Sequence, residues 1–414
     1  MSKDVDILSF GCRLNIWESE VMRQLARDAG LDNTIIVNTC AVTAGAEREA
    51  RQAIRRAHRD RPDAQIIVTG CAAQLKSGAF AAMPEVARVL GNADKLKAES
   101  WVQDAPRFAV SDIMAIRETA AHLLDGFEGH ARAFVQVQQG CNHRCTFCII
   151  PFARGPSRSV PASDVVASIR RLVGNGYREI VLTGVDLTSW GEDLGTDDRL
   201  GELVAAILRE IPELPRLRLS SLDPCEIDET LWSVLASDER LMPHLHLSVQ
   251  AGDDLILKRM KRRHLRGDVL EVAERARGLR PDVVLGADLI AGFPTEDDIS
   301  FANTLALIDE AGLTWLHVFP YSARAETPAA RMPAVAGELI KARAAQLRRA
   351  GDRAAAQFLV SCIGKTVRVV GERGGLGRSE QYAPVRPDHP VAVGEIATVR
   401  LTGVFDGVLI GDVV

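Results

Sequence analysis

The 414-residue sequence holds no apolar run long enough to cross a bilayer, and no N-terminal stretch that joins a basic start, a short apolar core and a small-residue cleavage site. The expectation is a cytoplasmic protein with no membrane association. There is no excess of base: 50 Lys and Arg against 55 Asp and Glu leave a formal charge of −5, which excludes a generally basic nucleic-acid coat and leaves local patches as the route to RNA. Cysteines number only eight, and in a reducing compartment they are ligands or buried thiols and not disulfides. No second Cys-x2-Cys pair accompanies the first, so a closed four-ligand zinc site lacks its ligands. No His/Asp pair stands out as acid–base machinery. The chain is otherwise of globular composition, 47% hydrophobic and 25% charged, and its length calls for two or three domains.

Three of the eight cysteines fall within eight residues, Cys141-Asn142-His143-Arg144-Cys145-Thr146-Phe147-Cys148. A loop with this spacing can place three thiolates on three corners of one iron–sulfur cluster and leave the fourth iron without a protein ligand. Three further cysteines are far apart but each follows a strand-like run: Cys12 after residues 4–10, Cys40 after Thr34–Val37, Cys71 after Gln65–Thr69. Helix-like stretches at about 16–29 and 43–60 separate those runs, giving parallel βαβ units. In an open α/β sheet the carboxyl ends of the strands line one crevice, so Cys12, Cys40 and Cys71 are expected to converge on a second cluster.

From residue 133 the β/α rhythm restarts, with strand-like runs at Phe134–Gln138, Glu179–Thr183, Leu217–Leu222, His244–Gln250, Val283–Ile290 and Leu316–Tyr321. Six βα units predict an incomplete barrel with one open side, its chemistry at the carboxyl ends of the strands. Past a basic helical stretch at 338–357, short β-rich runs separated by glycine predict a small β-barrel. The predicted architecture is therefore α/β: an N-terminal Rossmann-like parallel-sheet domain (1–105), a linker (106–130), a central partial (β/α)6 TIM-like barrel (131–358) and a C-terminal β-barrel (359–414). Cys225 and Cys362 have no partner spacing and read as structural.

Cys-x3-Cys-x2-Cys with an aromatic before the last cysteine resembles the radical S-adenosylmethionine (SAM) enzymes. Gln139-Gly140 ahead of the loop and Ile149-Ile150-Pro151-Phe152-Ala153-Arg154-Gly155 behind it are similar to the methylthiotransferases among them. So are Gly11-Cys12-Arg13-Leu14-Asn15, Asn38-Thr39-Cys40-Ala41-Val42-Thr43 and Gly70-Cys71-Ala72, which resemble the three motifs of that family's auxiliary cluster. Residues 364–385 resemble the TRAM module, an RNA-binding β-barrel. The motifs around Cys12 and Cys40, Ser157-Arg158-Ser159, His317–Ser322 and Thr327–Pro333 look most like the enzymes acting on threonylcarbamoyl-adenosine in tRNA. The alternatives within the family are isopentenyl-adenosine in tRNA and an aspartate of a ribosomal protein; outside it, an iron–sulfur RNA-binding redox protein. Gln139, where the family often has an acid, and Asp186 depart from the pattern.

The resemblance implies two 4Fe–4S clusters, one on Cys141, Cys145 and Cys148 and one on Cys12, Cys40 and Cys71, with SAM as co-substrate. The SAM contacts it implies are Phe147, Thr183, Gly184, Ser221, Ser248 and Gln250. Arg154 and Arg158, beside the cluster loop, are the candidate substrate contacts. Implied partners are a tRNA anticodon stem-loop, a low-potential electron donor such as a flavodoxin or ferredoxin, and a sulfur donor. The implied reaction is cleavage of SAM to methionine and a deoxyadenosyl radical, then transfer of a methylthio group to carbon 2 of the adenine.

Overall fold

The computed structural model describes residues 5–117 and 122–414. Its N-terminal domain is a parallel sheet of five strands in sequential order, Val5–Ser9, Thr34–Thr39, Gln65–Gly70, Arg88–Leu90 and Phe108–Ala109. The two central strands bury both faces, as their unbroken apolar runs require. Helix Arg13–Asp28 begins at once after Cys12, whose carbonyl accepts from the Asn15 and Ile16 amides; the sequence reading started it three residues later. Helix Ala44–Asp60 is capped by Thr43, whose hydroxyl accepts from the Ala46 amide at 3.1 Å. The last two strands, three and two residues long, are too short to show a period. The second of them lies in the segment read as a linker, and Leu124 and Phe127 of the same segment sink into the core of the next domain.

Six parallel strands form the central domain: Ala133–Gln136, Glu179–Thr183, Arg216–Leu219 continuing as Ser221–Leu222, His244–Gln250, Val284–Ala291 and Leu313–Pro320. Among the described residues no pairing joins the first strand to the last, so the barrel stays open. Leu14, Trp17 and Val21 of the first helix pack into the core of this domain, and burying each such side chain contributes about 1.5–3 kcal/mol. That helix therefore ties the two domains together. Helix Gly337–Ser361 covers the last strand through Ala344, Leu347 and Ala350 and leads into the C-terminal barrel.

The C-terminal barrel closes in the order Thr366–Gly371, Gly377–Arg378, Pro384–Pro387, Val408–Val413, Ile396–Phe405 around Val369, Val385, Val399, Leu401 and Leu409. Its loop 378–382 seals the amino-terminal end of the central barrel. There Glu179, fully buried, pairs with Arg132 (2.7 Å), Arg216 (3.1 Å) and Arg218 (3.0 Å). Arg218 donates on to the carbonyls of Ser379 and Glu380, Arg216 to that of Arg378, and Trp315 Nε1 to that of Gln381. Arg132 also bonds Glu372 at 2.6 Å. Burial alone would raise the Glu179 carboxyl; Arg218, Arg216 and Arg132 outweigh it and hold it at about 2.

Removing that carboxylate leaves three guanidiniums facing one another. Glu179→Ala is expected to lower stability by about 3–5 kcal/mol in urea unfolding. Because the folded pKa lies below the unfolded one, the stabilisation is complete above about pH 4.5 and is lost as pH falls towards about 2, a limb the variant should lack.

Candidate active site

The cluster loop is built by a tight return of the chain. Gln138–Gln139 pairs antiparallel with Arg158–Ser159, so the residues between them form a loop over the carboxyl ends of the strands. Gly140 has φ +73°, and a Cβ there would lie 2.0 Å from the Pro156 carbonyl oxygen; only glycine makes this approach. Gln138, fully buried, donates to the Gly140 carbonyl (2.8 Å) and Ser157 Oγ (2.9 Å) and accepts from the Val185 and Asp186 amides (2.9 and 2.8 Å). One side chain thus holds the cluster loop to the turn after Glu179–Thr183, where Thr183 is buried and Gly184 is half-buried.

Around the loop, the Cys141 thiol donates to Asp186 at 3.4 Å, and Asp186 takes His143 at 2.9 Å. Arg262 donates to Cys145 Sγ at 3.6 Å, to Asp223 at 2.8 Å and to the Ser248 carbonyl at 2.8 Å. A cavity of about 250 Å³ opens here, lined by Cys145, Asp223, Arg262 and their neighbours. Phe147 stands edge-on to Phe293, ring centroids 6.4 Å apart. Ser221, Ser248 and Gln250 sit at the carboxyl ends of their strands, half-buried, Gln250 at φ +69°.

Cys12, Cys40 and Cys71 do converge. A Cβ built on Gly11, φ +98°, would lie 2.9 Å from Cys40 Sγ, and the Cys40 thiol is pushed up to about 11 by burial and by the neighbouring Cys71 and Cys12. Cys40 and Cys71 are buried and Cys12 is exposed. In the loop, burial raises Cys141 and pushes Cys148 up to about 12, so bound iron must displace protons from these thiols. Both triads suit an iron–sulfur cluster. Each offers three soft sulfurs, and in each a guanidinium donates to one sulfur, Arg154 Nε to Cys71 at 3.2 Å and Arg262 to Cys145, which balances the charge of a thiolate-bound cluster.

Arg154, expected as a substrate contact, is turned to protein partners in this structure. It is buried, and its remaining donors reach Glu18 (2.8 and 3.1 Å), Gln139 Oε1 (2.9 Å) and Asn15 Oδ1 (2.6 Å). Glu18 also takes Lys95 at 2.6 Å, both side chains fully buried. Burial would raise the Glu18 carboxyl; Arg154 and Lys95 hold it at about 2. Gln139 donates to Glu18 at 3.3 Å, which accounts for an amide where an acid is more usual: Glu18 already supplies the negative charge. Arg158 is buried too, on the return strand, donating to the Pro156 and Arg154 carbonyls. Cys362 lies in the C-terminal core, whereas Cys225 is exposed beside Asp223.

Sequence reasoning missed Glu18, Lys95, Asn92 and Gln138. Asn92 donates to the Ala153 carbonyl at 2.8 Å and lies 3.8 Å from Cys71 Sγ. Asn15 and Glu18 share a helix face by their three-residue spacing, the one signal that could have found them. The basic run at 258–266 is largely committed to protein partners: Arg259 to Thr295, Arg262 to Asp223, Arg263 to Glu226 and Arg266 to Glu310.

The inner face of the half-barrel is polar. On His244–Gln250 the residues Leu245, Leu247 and Val249 belong to the helix-covered core, which turns His244, His246, Ser248 and Gln250 inward. His246 Nε2 and His317 Nδ1 share Asp288 Oδ1 at 2.9 and 3.1 Å. Burial would raise Asp288, but the two imidazoles hold it well below the usual carboxylate range.

Residues 135–308 match the family described as the radical SAM superfamily, and residues 4–91 an uncharacterised protein family, UPF0004. The chain is 49% identical, over 97% of its length and 96% of the relative's, to the threonylcarbamoyladenosine tRNA methylthiotransferase MtaB of Rickettsia prowazekii. It is 34% identical, over 96% of its length and 95% of the relative's, to a tRNA-2-methylthio-N(6)-dimethylallyladenosine synthase of Novosphingobium aromaticivorans. Among solved structures it resembles the radical SAM methyltransferase TsrM of Kitasatospora setae, TM-score 0.57 at 15% identity, over 91% of this chain and 80% of that one.

If Arg154 joins two domains and holds a sulfur, Arg154→Met should cost about 3–5 kcal/mol by leaving Glu18 short of a partner, while anticodon stem-loop affinity measured below the unfolding transition stays unchanged. Undiminished stability with weakened RNA binding would return Arg154 to the substrate.

Proposed function

The chain belongs to the radical SAM tRNA methylthiotransferases, and on that premise we propose that it inserts a methylthio group at carbon 2 of threonylcarbamoyl-adenosine immediately 3′ of a tRNA anticodon. The observation that carries the reading is the pair of thiol triads linked through one buried arginine, which lies six residues past the last cysteine of one triad and touches a sulfur of the other. Two reactions on one substrate atom need two centres held in fixed relation, and this arrangement supplies it.

Each triad would hold one 4Fe–4S cluster, and when bound they supply reductive cleavage of SAM at one and a transferable methylthio sulfur at the other. The chain's own residues do the rest. Arg262, fixed by Asp223, and Asp186, fixed by His143 and Ser189, flank the open face of the Cys141 loop. Phe147, Thr183, Gly184, Ser221, Ser248 and Gln250 would hold SAM at the strand ends. The C-terminal barrel would grip the stem-loop, and the target base must leave its stack, at a cost of a few kcal/mol or less in a loop. The low-potential electron donor and the sulfur donor must reach the two triads from outside.

The polar inner face favours a substrate that carries charge and hydrogen-bonding groups. An isopentenyl group would call for an apolar lining, and His244, His246, Asp288 and His317 do not supply one.

Nucleosides from tRNA of cells with and without this gene product, analysed by mass spectrometry, should differ by the methylthio form of threonylcarbamoyl-adenosine; a difference in isopentenyl-adenosine instead would overturn the substrate. In purified protein, replacing Cys12, Cys40 and Cys71 together by alanine should remove about half of the reconstituted iron and leave SAM cleavage in place. Iron content equal to that of the unaltered protein would remove the second cluster.

A further inference from the structure

Arg13 follows Cys12 directly, and its guanidinium reaches across to the C-terminal barrel, 5.6 Å from the centroid of the Tyr382 ring. Arg132, Arg218 and Arg378 surround the same ring at 5.4, 5.1 and 5.1 Å, and His244 stacks on it at 5.4 Å. The other three arginines are committed. Arg132 holds Glu179 and Glu372, Arg218 holds Glu179 and two carbonyls, and Arg378 pairs with Glu372 at 3.5 Å. Glu380, the remaining nearby acid, is taken by Arg368. Arg13 alone makes no hydrogen bond or ion pair among the described residues, though it is half-buried.

A half-buried guanidinium with every neighbouring acid already engaged is short of an anion. Its place is also informative. It stands beside a cysteine of the auxiliary triad and shares the Tyr382 ring with His244 of the inner wall. Asp288, an acid on that wall, is already engaged by His246 and His317 through hydrogen bonds of 2.9 and 3.1 Å. Among the described residues Arg13 is thus a cation left without an acid, beside Cys12, where a base presented to the auxiliary triad would carry its substituent.

We propose that Arg13 binds the carboxylate of the threonylcarbamoyl group and so selects the substrate, an inference that rests on the substrate reading above. A planar guanidinium takes a carboxylate through two parallel N–H donors, a geometry that neither an isopentenyl group nor an unmodified adenine can use.

The test compares two anticodon stem-loops, one bearing threonylcarbamoyl-adenosine and one bearing an N6-alkylcarbamoyl-adenosine without the carboxylate, for binding by fluorescence anisotropy and for turnover on reconstituted protein. The unaltered protein should prefer the acid by roughly 10- to 100-fold, the range of a charged hydrogen-bonded contact. In Arg13→Gln the preference should fall to within about threefold, and Arg13→Lys should keep part of it. Taking the ratio on one preparation cancels any change in cluster loading. A preference retained in Arg13→Gln overturns the assignment, as does equal weakening of both loops, which would make Arg13 a phosphate contact or a structural residue. A protein that discriminates neither loop yet modifies the acid also overturns it. Failure of the unaltered protein to modify the threonylcarbamoyl loop, with turnover on an isopentenyl loop, would instead overturn the substrate reading itself.

Discussion

Everything at this site depends on one guanidinium. Arg154 is bonded at once to Cys71 of the N-terminal sheet, to Asn15 and Glu18 of the first helix, and to Gln139 at the root of the cluster loop. A charge so deeply buried is tolerated only because Glu18 meets it, and Glu18 only because Arg154 and Lys95 share it. Such a cluster adds little net stability over an apolar equivalent, but it has few alternative arrangements. Its directionality sets the N-terminal domain against the barrel in one register.

Closed parallel barrels fill their interior with branched apolar side chains. This one does not close, and its interior carries imidazole, carboxylate, amide and guanidinium groups in place of that packing. The structure offsets the lost core in two ways. The apolar faces of the strands pack outward against helices, including the first helix of the neighbouring domain. At the amino-terminal end, Glu179 and three arginines replace apolar packing by charge pairing, and a loop from the last domain seals them.

Much of this was legible in the sequence, for a physical reason. Central strands such as Thr34–Thr39 and Glu179–Thr183 are buried on both faces, so their apolar runs are unbroken and their ends are marked by glycine or a polar residue. Cysteine is scarce enough that its position after three successive strands carried weight, and the convergence followed from topology. What could not be read was anything depending on tertiary approach. Glu18 lies in a helix that also carries exposed charges such as Arg27 and Asp28, and nothing local distinguishes a buried acid from a solvated one. Arg154 and Arg158 were placed correctly beside the loop, yet adjacency in sequence said nothing of whether they faced the substrate or the neighbouring domain. The strands Arg88–Leu90 and Phe108–Ala109 are held by pairing to an existing edge, not by their own pattern.

The sealing of the barrel by residues 378–382 has a bearing on how the molecule is made. Synthesis proceeds from the amino end, so all six triad cysteines have left the ribosome before the segment that closes the lumen exists. For that interval the polar interior is open to water at both ends, and the arginines around Glu179 lack the carbonyls that later complete them. A product cut short by a premature stop before this segment would carry all six triad cysteines and a barrel with its amino-terminal end uncovered. Whatever else the last domain does, it completes the amino-terminal end of the barrel.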